Sequence, residues 1–208
     1  MSVQCIPLHI HDVLFQTFVE SFDTPPEELV LDFDGTDDPA HGDQSGIFFN
    51  SYYDHYCFFP LYVFCGTQLL VAYLRPANSG DSNNAWAILS LLEKKLRTVW
   101  PDVRIIFRGD SAFCRHWMFN WCEKKGVDCI TGMPQNSRLD KLAAHTIQKA
   151  EELYSETEEK QRLFSVFQCA AKTWKAEGRI IGKGRAFAQG KKYPLHHHNP
   201  ARRLAAPL

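Results

Sequence analysis

Two short acidic segments carry the chemistry this sequence can offer. The first is Leu31-Asp32-Phe33-Asp34-Gly35-Thr36-Asp37-Asp38. Strand side chains alternate faces, so in an extended chain Asp32 and Asp34 share one face while Leu31 and Phe33 share the other. A carboxylate at the end of an apolar strand is costly unless it is solvated or bound to a metal. Magnesium is held by one or two carboxylates together with water and substrate phosphate. A strand-end aspartate matched by another on an adjacent strand is the simplest such site. Asp and Gly are also common turn residues, and this segment alone supports a plain turn equally well. The second segment is Arg108-Gly109-Asp110-Ser111-Ala112-Phe113. Here Asp110 leaves the apolar run Val103–Phe107, at the carboxyl end of a strand, where α/β sheets gather ligands. The competing reading makes Ser111 the cap of the next helix and Asp110 a turn residue.

A second chemistry fits the first segment. Asp32-Phe33-Asp34-Gly35-Thr36 matches the DxDGT signature of haloacid-dehalogenase-like phosphatases, where Asp32 would be the nucleophile and Asp34 the acid/base. That family also wants a GDxxxD-like acidic pair. Gly109-Asp110 is present, but the last position falls on Cys114, and Asp37 to Gly42 replaces the apolar residues usual after DxDGT.

The elements that must position these carboxylates follow from periodicity. His9 to Phe22 has near-helical apolar spacing, ended by Pro25-Pro26. Leu29–Asp34 reads as a short strand, Gly35–Gly46 as a polar loop, and Ile47–Cys65 and Gln68–Leu74 as strands joined at Gly66-Thr67. Asn84–Trp100 reads as a helix with Leu89, Leu92 and Leu96 near one face. Val103–Phe107 is a buried-type strand, Phe113–Lys125 a helix stopped by Gly126, and Val127–Thr131 a strand. Leu139–Tyr154 is helical, and Leu163–Trp174 and Arg179–Lys183 are candidate strands. Three strands, then helix, strand, helix, strand and an insertion predict an α/β fold. It is a ribonuclease H-like mixed sheet with flanking helices.

The chain has 208 residues, 45% of them hydrophobic and 13% aromatic, enough for one sizeable core. Its formal net charge of −1 lacks the basic excess usual in a DNA-binding module. No apolar run reaches the roughly 18–20 residues that span a bilayer, and no signal peptide is visible. The seven cysteines are scattered without a CxxC pair, which predicts reduced thiols in a cytoplasmic protein.

Longer strings carry a specific resemblance. Leu31 to Pro39 with His41-Gly42 and Gln44 resembles the first catalytic block of bacterial insertion-sequence transposases of DDE domain group 1. Phe48-Phe49-Asn50 with Tyr52-Tyr53, Pro60 to Gly66, Leu74-Arg75-Pro76, Trp100 to Ile105 and Arg108 to Phe113 continue it. Trp121-Cys122-Glu123 with Gly126-Val127-Asp128 extends it, and the match is collinear from about Pro25 to Gly182. The resemblance implies that Asp34 and Asp110 hold divalent metal, Mg2+ or Mn2+, with Asp32 the second choice as a ligand. It implies DNA as partner, at transposon ends and target, with hydrolysis followed by strand transfer. Arg75, Arg108 and Arg115 become candidate phosphate contacts, since Arg binds phosphate bidentately. A second transposase subunit is a further candidate partner.

The family's third carboxylate, a glutamate on a helix beyond the insertion, has no counterpart here. Glu151, Glu152, Glu156, Glu158 and Glu159 lie in the insertion, where such a run is usually a solvated helix face. The expected organisation is a leading helix over 1–24, a partial catalytic core over 25–137, an insertion over 138–183 and a poorly ordered tail over 184–208. The chain thus reads as a fragment truncated at both ends, its C-terminal part missing. Moving the reading frame of Lys192 to Asn199 by one base can turn its His codons into Ile or Thr codons, so the tail is expected to derive from a frameshift. An incomplete site predicts an inactive catalytic fragment. The alternative of another class is a non-catalytic remnant that binds DNA or a transposase subunit.

Overall fold

Alternation sets the strand that carries the first carboxylates. β1 (Glu28–Gly35) buries Leu29, Leu31 and Phe33 and turns Val30, Asp32 and Asp34 to the other face. The computed structural model describes residues 6–80, 82–134, 136–169, 178–187 and 195–199. It divides into two units, residues 1–108 and 109–208.

In the first unit, α1 (Ile6–Glu20) lies against β6 (Gln68–Tyr73). β5 (Leu61–Cys65) and β6 form the hairpin expected at Gly66-Thr67, with Gly66 at a φ of 59°. β5 runs antiparallel to β1, pairing Asp34 with Tyr62 and Asp32 with Phe64. β7 (Arg104–Gly109) is β1's other neighbour, giving the order β6-β5-β1-β7. Ion pairs join Glu28 to Arg104 and Asp32 to Arg108, each spanning 76 residues. Four residues forward on β1 therefore match four forward on β7, so these two strands run parallel and the sheet is mixed.

The long aromatic stretch does not form one strand. β3 (Phe48–Asn50) and β4 (His55–Phe58) are separated by a turn in which Asp54 has a φ of 59° and the Asn50 side chain accepts from the amides of Tyr52 and Tyr53. With β2 (Asp38–Pro39), which lies inside the expected loop, they make a small sheet in the order β2-β4-β3. α2 (Ala85–Val99) buries Leu89, Leu92 and Leu96 as the periodicity requires. Each such side chain contributes roughly 1.5–3 kcal/mol. Trp100, just past α2, stacks edge-on with Phe18 and Phe22 at the end of α1.

In the second unit, a 3-10 turn (Ser111–Phe113) precedes α3 (His116–Lys125), which Gly126 ends at a φ of 64°. β8 (Asp128–Gly132) and α4 (Ser137–Thr157) follow, and the Asn136 side chain caps α4 by accepting from the amides of Arg138 and Leu139. β9 (Gln161–Cys169) and β10 (Gly178–Ala186) form a long antiparallel pair with α4 packed on it. Leu139, Ala143 and Ile180 are the buried centre of that packing, with Met133, Ile147 and Phe167 around them.

The C-terminal stretch completes the sheet of this unit. β10 runs past the expected tail boundary at 184, and β11 (Leu195–Asn199) pairs antiparallel with both β8 and β10, giving the order β8-β11-β10-β9. Ladder bonds belong to the backbone, so a histidine-rich segment forms them as other segments do. Residues 188–194 and 200–208 of that tail lie outside the described residues.

Candidate functional site

Asp34 sits one residue from the end of β1, exposed, where the strand opens into the Gly35-Thr36 turn. The adjacent glycine is required by its neighbours. A Cβ on Gly35 would stand 3.0 Å from Arg75 Nη2 and 3.0 Å from Phe59 Cζ. Arg75 itself is 1% exposed. Its Nε donates to Phe59 O at 2.9 Å and its Nη1 to Asn83 O at 3.0 Å, and the guanidinium lies 4.9 Å from the centre of the Phe59 ring. Proposed from sequence as a phosphate contact, Arg75 is instead buried behind the Asp34 turn, bonded to main-chain carbonyls.

Asp32 shares Asp34's face, as alternation requires, but its environment differs. Arg108 Nε and Nη2 each meet one of its carboxylate oxygens, the second at 2.6 Å. This fork geometry suits Arg and carboxylate. It raises the Arg108 guanidinium further above its ordinary value, through the hydrogen bond to Asp32 first. A metal or a phosphoryl group approaching Asp32 has to displace that guanidinium. The ion pair makes Asp32 a poor candidate for the nucleophile of the phosphatase reading.

Asp110 is the first residue after β7 and is also exposed. Its Oδ1 accepts from Ala112 N at 2.8 Å, so Asp110 rather than Ser111 caps the 3-10 turn. Two glycines fix this turn. A Cβ on Gly109 would come within 2.8 Å of the buried Phe113 ring, and a Cβ on Gly132 at the end of β8 would come within 2.8 Å of Ser111 N and 3.2 Å of Asp110 C. Spacing gave no sign of Gly132; a strand glycine marks close backbone approach, and that was the available signal. Arg115 is exposed at the start of α3, where a phosphate can reach it.

Glu152, Glu156, Glu158 and Glu159 are exposed on or just past α4. Among the described residues no three His, Cys, Asp or Glu side chains converge as a metal cluster. No helix among them is long and apolar enough to cross a membrane.

The sequence model for the transposase DDE domain group 1 matches residues 5–196. The chain belongs to that family. The match extends the resemblance at both ends, through α1 and into β11. A solved structure titled as the piggyBac transposase synaptic complex with hairpin DNA aligns over 100% of this chain and 42% of its own, at 11% identity and a TM-score of 0.45. This chain thus spans less than half of that protein's length. No curated protein matches the chain.

Asp34 and Asp110 are each exposed at a strand exit. Carboxylate oxygens are hard donors, which suit divalent oxygen-seeking cations and not a thiolate-type zinc site.

Proposed function

We propose that this chain supplies two of the acidic ligands, Asp34 and Asp110, of a ribonuclease H-like transposase catalytic domain that acts on DNA in the bacterial cytoplasm. What supports the proposal is that the DDE-domain sequence model spans residues 5–196 and so takes in both strand-exit aspartates. Each lies at or just past the carboxyl end of its strand, where α/β sheets gather ligands.

In the proposed reaction Asp34 and Asp110 hold divalent metal, Mg2+ or Mn2+. Bound there, the metal supplies Lewis-acid activation of the attacking oxygen and stabilises the leaving one. The protein's own contribution is positional. Arg108 neutralises Asp32 and keeps its charge from competing for the cation. Buried Arg75 and the Gly35 turn hold the Asp34 backbone, and Gly132 seats the turn of Asp110. Arg115 is the exposed cation best suited to a DNA phosphate. A second transposase subunit is the proposed source of a third carboxylate. The isolated chain then binds metal without cutting DNA.

The test is calorimetric titration of the 208-residue chain with Mn2+, beside incubation with supercoiled plasmid and Mg2+. Binding that disappears in Asp34→Asn and in Asp110→Asn, with the plasmid left intact, is the expected result. Unchanged binding in both variants sinks the metal assignment. Mg2+-dependent nicking abolished by Asp110→Asn shows the site to be complete after all.

A further inference from the structure

Among the described residues, α4 covers one face of the β9–β10 pair. Gly182 and Gly184 point at α4's side, where a Cβ on Gly184 would meet Thr146 O at 2.8 Å. Alternation then sends the odd residues of β10 to the other face, together with the even residues of β9 that pair with them. The register places Arg185 opposite Arg162, Lys183 opposite Phe164, and Arg179 opposite Gln168. Phe164 and Val166 on this face are 63% and 62% exposed, so it is open. None of the eight paired positions on it carries a carboxylate.

α4, on the covered side, mixes the exposed cations Arg138, Lys141 and Lys149 with the exposed acids Asp140, Glu152 and Glu156. Of charged side chains, the paired positions of the other face carry cations alone, in a chain whose formal net charge is −1. Like charges directly opposite on neighbouring strands destabilise a sheet, and Arg162 and Arg185 are such a pair. Lys183 Nζ lies 5.5 Å from the centre of the Phe164 ring. Its ammonium is pushed below the ordinary lysine value, by burial first and then by Arg185, Arg162 and Lys160. The Nε atoms of Arg179 and Arg185 are buried without a hydrogen-bond partner. A polyanion laid along this face relieves the repulsion, and the exposed Phe164 and Val166 offer apolar contact to sugars or unstacked bases.

We propose that the open face of β9 and β10, centred on Arg162, Lys183 and Arg185 with Phe164 between them, is a DNA-backbone-binding surface separate from the aspartates. That the surface takes a polyanion follows from its charge. That the polyanion is DNA rests on the transposase reading. Phosphate contacts are sequence-independent and salt-sensitive, and each lost contact lowers the salt slope by about one.

The experiment is fluorescence anisotropy of the full chain with a labelled duplex of random sequence, in EDTA, across a series of NaCl concentrations. The triple variant Arg162→Ala/Lys183→Ala/Arg185→Ala is expected to bind at least about tenfold more weakly at 100 mM salt, with a salt slope lower by about two to three. Lys149→Ala, an exposed charge removal on α4, is expected to bind as the parent does. Circular dichroism checks folding. Lys183→Glu, a single change at a half-buried position, repeats the test with less disturbance of the sheet. Unchanged affinity and slope in these variants overturn the proposal, as does a parent chain that does not bind duplex at 50 mM salt. Tighter binding of single-stranded RNA than of duplex reassigns the surface and overturns DNA as its occupant. Loss of Mn2+ binding at the aspartates is a separate measurement, so failure of the catalytic reading leaves a distinct signature.

Discussion

Arg108 on β7 holds both carboxylate oxygens of Asp32 on β1. The pair sits two residues short of Asp34 on one strand and two short of Asp110 along the other. It acts as a clasp between the two strands. The Asp32 side chain is 30% and the Arg108 side chain 54% exposed, so its value lies in alignment more than in stability. A double-mutant cycle of Asp32→Asn and Arg108→Ala, read by urea unfolding, is expected to give a coupling of no more than about 1 kcal/mol. Arg108→Lys should not restore it, since an ammonium lacks the fork. A coupling well above this range shows that the pair is buried rather than half-exposed.

Asp110 has two separable duties. Its carboxylate caps the 3-10 turn through Ala112 N, and an Asn oxygen can make the same bond. Asp110→Asn is therefore expected to leave stability within about 0.5 kcal/mol of the parent, while Asp110→Ala costs about 1 kcal/mol. Both should abolish Mn2+ binding. Equal destabilisation by Asn and Ala argues against the cap.

Gly132 is a positioning residue for that turn. A methyl group there meets main-chain atoms of Ser111 and Asp110, which cannot swing aside as a side chain does. Gly132→Ala should cost about 1–3 kcal/mol and weaken Mn2+ binding through displaced Asp110. Gly42→Ala is the contrast in space, because a Cβ there meets nothing within 4 Å. Its φ of 76° still makes it mildly unfavourable, but metal binding should be intact. Intact Mn2+ affinity in Gly132→Ala removes the positioning role.

Arg75 predicts a stability effect without a DNA effect. Replacing it by Met leaves the carbonyls of Phe59 and Asn83 without their guanidinium donor in a buried site. The expected cost is roughly 2–4 kcal/mol in thermal or urea unfolding, and Lys should rescue little of it. Duplex binding per folded molecule should be unchanged. A stable Arg75→Met chain with weakened DNA binding restores the phosphate-contact role.

Cys129 gives the protein an alkaline limit. Burial first, and then the neighbouring Cys122, push its thiol well above the ordinary 9.0. The folded chain keeps a proton that the unfolded chain releases above pH 9.0, so stability falls as pH rises from there toward the folded value. Urea midpoints measured from pH 8 to 10 should decline, and Cys129→Ala should show a shallower decline from a lower starting point. A midpoint that holds level across the range contradicts this.

The alternation of Leu29 to Asp34 by itself determined which face Asp32 and Asp34 share, and the helical spacing of Leu89, Leu92 and Leu96 determined the buried stripe of α2. These are local periodicities, and backbone geometry translates them directly. The strings around Asp34 and Asp110 likewise placed the chain in its family before any contact was known. The sequence could not say that Asp32 is clasped by Arg108, that Arg75 is buried, that Gly132 touches the Asp110 turn, or that Arg162 faces Arg185. Those pairs are 76, 16, 21 and 23 positions apart or bonded across such distances. Strand register and sheet order decide them, and no local pattern encodes either. The histidine-rich stretch shows the same limit from the other side. Its composition carries no strand pattern, and the pairing of Leu195–Asn199 is set by the backbone groups of β8 and β10.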